Sequence, residues 1–149
     1  MIYLIKLLDI KEQITKLLKS KFKYKIHFDN VEKSNEPYFY VEMQPRHKTI
    51  DKILMDKSIQ IDIMLILLPD EFGRIKRSIL YDAADTLDCL IRPVMQIKDR
   101  HITILDSQIK FHDEVLHYIF DLEFADCLTD KESESIIYEL MQTLDLNLQ

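Results

Sequence analysis

The sequence predicts an α+β domain in which a mostly antiparallel sheet packs against an N-terminal helix and a long central helix, followed by a C-terminal extension. Two observations carry this. The apolar period is helical near the start and again after Pro69, and it switches to two in the segments between and after. The second is a late hairpin pattern with a register of its own. At 149 residues the chain is the size of one domain with a real core. Residues 1–128 read as that domain and 129–149 as an extension that contacts a neighbouring subunit.

Residues 3–20 read as helix, with Leu4, Leu7, Leu8, Ile14, Leu17 and Leu18 as the apolar stripe. Asp9 and Glu12 form a possible capping box that would start the regular helix later. Tyr24, Ile26 and Phe28 then alternate with Lys23, Lys25 and His27, the mark of a half-buried strand. A second strand runs from Tyr38 to Gln44, with Phe39, Val41 and Met43 on one face. Residues 45–57 break the alternation and are expected to be a long loop. It carries Arg46, His47 and Lys48 beside apolar Ile50, Ile53, Leu54 and Met55. Long loops of this kind tend to be functional.

The third strand, Ser58 to Leu68, has Ile59, Ile61, Ile63, Leu65 and Leu67 on one face. Its other face turns apolar at Met64 and Ile66, so its far half is expected to be covered on both sides. Asp70 is the expected N-cap of a helix reaching Ile91, stopped by Arg92-Pro93. Its predicted stripe includes Phe72, Ile75, Ile79, Leu80, Ala83 and Leu87. Val94–Ile97, a turn at 98–100 and a strand at 101–105 follow. Gln108–His112 then pairs with Val115–Ala125 through the turn Asp113-Glu114. That turn sets Phe111 opposite Leu116, Ile109 opposite Tyr118 and Lys110 opposite His117. At the end, Leu144, Leu146 and Leu148 alternate with polar residues, and such a row needs a partner edge.

Composition narrows the function classes. The net charge of −6 argues against sequence-specific nucleic-acid binding, and no run is long enough for a membrane span. A single glycine, Gly73, leaves no material for a phosphate-cradling loop or a nucleophile elbow in the usual form. Cys89 and Cys127 read as reduced cytosolic thiols, with Cys89 a core residue beside the helix stripe. His112 and His117, near Asp121 and Glu123, make a cross-strand metal site conceivable, but surface or interface polar residues are the simpler reading. Asp82, Asp85 and Asp88 read as a solvated helix face, with cation chelation as the alternative. No catalytic, cofactor or metal site is assigned. The candidate interface residues are Arg46, His47, Lys48, Ile50, Ile53, Leu54, Met55, Met64, Ile66, Leu144, Leu146 and Leu148.

The order of elements, with Glu36-Pro-Tyr-Phe-Tyr-Val-Glu42, the Ile59–Leu67 strand ending at Pro69, and the string Ile109 to Phe124, resembles the tail-terminator (tail-completion) proteins of phages of Gram-positive bacteria and of phage tail-like particles. The resemblance implies a homo-oligomeric, hexameric ring at the head-proximal end of a tail, assembled in the host cytoplasm. Such a ring halts polymerisation of the tail tube, and of the sheath where one exists, and meets the head–tail connector. It implies no cofactor. The alternatives are a head–tail connector or adaptor component, a cytosolic protein-binding regulatory module, and a metal-dependent enzyme using His112 and His117.

Overall fold

In a computed structural model that describes residues 4–127, the chain forms the expected α+β architecture. Helix α1 (Leu7–Lys21) leads into β1 (Lys25–His27), β2 (Tyr38–Thr49) and β3 (Leu54–Ile66). Helix α2 (Arg77–Ile91), the short strands β4 (Val94–Ile97) and β5 (Arg100–Thr103), and the hairpin β6 (Ser107–His112) and β7 (Val115–Cys127) complete it. The main sheet has the order β1-β2-β3-β7-β6, while β4 and β5 make a separate ribbon. Every pairing is antiparallel except β1 with β2.

One face of the sheet carries the core. Phe39 and Val41 of β2, Ile59, Ile61, Ile63 and Leu65 of β3, and Leu116, Tyr118, Phe120 and Leu122 of β7 are all buried there. Period-two alternation puts these residues on the same side. Ile10, Ile14 and Leu18 of α1 and Leu80, Ala83, Ala84, Leu87 and Ile91 of α2 close over them. Met95, Ile97, Ile102 and Ile104 of the ribbon region join the same cluster.

The hairpin register holds at each expected pair, Phe111 opposite Leu116, Ile109 opposite Tyr118 and Lys110 opposite His117. Its two turn residues both have positive φ, 49° for Asp113 and 62° for Glu114. That is the backbone a two-residue hairpin needs to match strand twist, and it usually recruits glycine. Glu114 is instead held there by Arg77 at the start of α2, whose guanidinium donates to its carboxylate at 2.8 Å.

Several expectations are corrected. Residues 45–57 are not a long loop: β2 runs through Thr49 and β3 begins at Leu54, leaving a turn at residues 50–53. Residues 44–49 are exposed on both faces of the strand, so no alternation could reveal it. The central helix starts at Arg77, not at Asp70. The Asp70 carboxylate accepts from the N–H groups of Phe72 (2.9 Å) and Arg74 (2.8 Å), closing a local turn that competes with helix. Gly73, at φ 73°, completes it, and Phe72 is 75% exposed where a buried stripe was expected. Ile79 is exposed as well, at 39%.

In α1 the N-cap is Lys6, and the Asp9 carboxylate, one turn in, accepts from the Lys6 N–H at 2.8 Å, so Asp9 closes a capping box from its inner position and is not the N-cap. Leu7 and Leu8 are exposed, Leu8 at 67%, and Ile10 takes the core position instead. Cys89 is exposed and only Cys127 is buried, against the expectation of a core Cys89. The extension 129–149, with Leu144, Leu146 and Leu148, lies outside the described residues.

Candidate assembly surfaces

The end of β2 (44–49), the start of β3 (54–58) and the end of β7 lie side by side as a three-stranded arm. β3 pairs with β2 as far as Thr49 opposite Met55, and with β7 as far as Leu54 opposite Cys127. The turn at its tip is organised by Asp51, whose carboxylate accepts from the N–H groups of Ile53 (2.7 Å) and Leu54 (2.8 Å). Those two backbone donors, Leu54 foremost, hold the Asp51 carboxyl below its usual range. Of the expected interface residues, Arg46, His47, Lys48 and Ile50 are exposed. Ile53, Leu54 and Met55 are half-buried, the last two inside the ladder.

The outer edge of β2 is paired only where β1 lies against Tyr38–Tyr40. From Val41 to Thr49 that edge has no strand beside it among the described residues. Its hydrogen-bonding phase follows from Ile50, whose N–H donates to Leu54 O at 3.1 Å. Alternation then turns the peptide groups of Val41, Met43, Pro45, His47 and Thr49 outward. Pro45 therefore removes a donor from the open edge and none from the ladder, the place where proline is tolerated in a sheet.

Opposite the helices the sheet has a second, open face. His27, Tyr40, Met64, His117 and Lys110 lie in one row across its five strands. Met64 and Ile66 are half-buried there, and among the described residues no helix packs over them. His117 and His112 do not converge: His117 Nδ1 lies 3.0 Å from Asp62, while His112 pairs with Asp113 at 3.2 Å on the turn. Among the described residues no group of three metal-ligating side chains converges. Asp121 and Glu123 instead line a shallow cleft of about 440 Å³ with Arg100 and His101, under the β4–β5 ribbon.

Two polar clusters were not foreseen. Along the arm, Lys57 and Asp126 are both buried on the helix-side face. Lys57 Nζ donates to Ile5 O at 2.8 Å and to Asp126 Oδ2 at 3.3 Å, and the Ile5 N–H donates to the same carboxylate at 2.8 Å. Arg100 adds a donor to Ala125 O at 2.7 Å and lies over the Phe124 ring. The cluster pins the segment before α1 to the arm. The other joins α2 to the sheet: Asp88 accepts from the Tyr118 hydroxyl (2.7 Å) and from Ser107 (2.8 Å). The Tyr118 bond, ahead of the opposing effect of burial, holds the Asp88 carboxyl below its usual range, and burial pushes the Tyr118 phenol up. Asp88 is thus a tie inside the fold, unlike the solvated face expected for Asp82, Asp85 and Asp88.

A family model described as "Phage tail terminator protein" matches residues 9–134, which includes every described strand and almost all of α1. The chain belongs to the phage tail terminator family. Family membership makes it a structural phage tail protein that works in contact with other tail proteins. No curated relative matches the chain. For a terminator-family subunit, the geometry offers a cationic arm with an open edge, a half-apolar sheet face, and the opposite edge at β6. Near that second edge Phe111 packs against Tyr81 with ring centroids 5.1 Å apart, both exposed.

Proposed function

We propose that the chain is the subunit of a homo-oligomeric, hexameric ring that caps the tail tube, and the sheath where one exists, at the head-proximal end. The ring halts polymerisation and offers its other side to the head–tail connector. The subunit assembles in the host cytoplasm, works without a cofactor, and carries no catalytic centre.

The observation that carries this reading beyond family membership is that, among the described residues, the sheet ends in two unlike open edges. One is cationic and hairpin-borne, at Val41–Thr49. The other is aromatic-flanked, at Ser107–His112. A cyclic contact of more than two copies is heterologous and requires two different surfaces on each subunit. Arg46, His47, Lys48, Ile50, Ile53, Leu54 and Met55 on the arm, Met64 and Ile66 on the open face, and Leu144, Leu146 and Leu148 beyond the described residues are the proposed contacts.

The test is to add the purified protein to polymerising tube subunits and measure tube lengths by electron microscopy. The expected result is shortened tubes with added density at one end. Tubes of unchanged length with no bound protein would refute the capping role.

A further inference from the structure

We propose that the C-terminal segment of one copy, residues 143–149, docks as an added strand along the open β2 edge of a second copy. This rests on the ring reading above and names the partner of its arm surface.

Four observations converge. First, the edge is available: between Val41 and Thr49 the outward peptide groups have no strand partner among the described residues. Unpaired edges of this length are templates for strand addition. Second, Arg46, His47 and Lys48 are exposed and form no ion pair within the described residues. The docking segment 143–149 carries Asp145 as its one charged side chain, and the stretch leading to it adds Asp130, Glu132, Glu134 and Glu139 against Lys131. The acidic tail and the Arg46–Lys48 edge are opposite in charge. Third, the period of two in Leu144, Leu146 and Leu148 gives the segment one apolar side, as a strand laid on a sheet edge requires.

Fourth, the chain leaves the domain at the right place. β7 runs towards the tip of the arm and ends with Cys127 opposite Leu54. The β2 edge lies two strand spacings away, about 10 Å, and an extended segment of this length reaches ~70 Å. Donor tail and acceptor edge are different surfaces, as a closed ring needs.

The test is a mixed cross-link in the full-length chain. Two differently tagged forms, both carrying Cys89→Ser, are co-expressed, one with His47→Cys and the other with Leu146→Cys. A short bismaleimide is then applied, and the particle mass is measured separately. The account predicts a linked dimer bearing both tags, and a ladder of linked species when both substitutions sit on one chain. It predicts also that Arg46→Glu with Lys48→Glu lowers the yield. Intact rings without the mixed product, or a double variant that links only within its own chain, would overturn the inference while leaving the ring reading standing. Particles that never exceed a monomer would remove the ring reading, and this inference with it. A yield indifferent to the charge reversals would overturn the proposed complementarity.

Discussion

Lys57 Nζ and Asp126 Oδ2 lie 3.3 Å apart with the two residues only 6% and 1% exposed, on strands that are neighbours in the sheet but 69 positions apart in the chain. Asp126 serves more groups than its partner does: it also accepts from the N–H of Ile5 at 2.8 Å and that of Cys127 at 2.9 Å, and faces Arg100 at 3.5 Å. Removing one member of a buried pair leaves the other charge uncompensated, at a cost of about 3–5 kcal/mol. Asp126→Ala should therefore cost that much in denaturant-induced unfolding, and more than Lys57→Met. An equal or smaller loss for Asp126→Ala would mean that the cluster is not centred on the carboxylate.

The Asp88–Tyr118 bond makes stability depend on acid. The folded Asp88 carboxyl titrates below its unfolded value, mainly because Tyr118 donates to the ionised form. Its contribution is present above the unfolded carboxylate pKa and is lost as pH falls through the folded value. Tyr118→Phe should flatten the fall in thermal midpoint as pH drops below about 4, the ordinary carboxylate value. Asp88→Ala should cost about 1–3 kcal/mol at neutral pH, because the buried hydroxyl loses its acceptor. An unchanged acid limb in Tyr118→Phe would contradict the assignment.

The two thiols should behave oppositely towards a maleimide. Cys89 is exposed on α2 and should be modified in the native protein, whereas Cys127 is buried and should react only after unfolding. Mass spectrometry of the labelled protein reads this directly. Two labels under native conditions would be inconsistent with the burial of Cys127.

Legibility in the sequence followed local pattern. The β6–β7 register could be read because a two-residue turn between alternating apolar runs leaves few other pairings, and each expected partner is found. The core face of β3 was equally plain, since Ile59 to Leu67 alternate without interruption. The distal half of β2 was hidden because Gln44 to Thr49 are exposed on both faces, so burial writes no period into them. The start of α2 was misplaced because Asp70, a good N-cap by type, spends its carboxylate on a local turn. The Lys57–Asp126 and Asp88–Tyr118 contacts were out of reach for another reason. Each joins residues that only the sheet order brings together, and a charged residue in a strand reads as surface until its partner is known. Of the expected interface residues, Arg46, His47, Lys48 and Ile50 are exposed, and Met64 and Ile66 lie half-buried on the open sheet face.

Native mass measurement of the full-length chain over a range of concentrations tests the central claim most directly. A heterologous ring built on the two unlike sheet edges predicts a discrete closed particle of about six copies, with no series of larger open chains. A protein that stays monomeric at every concentration, or that stops at a symmetric dimer, would contradict it.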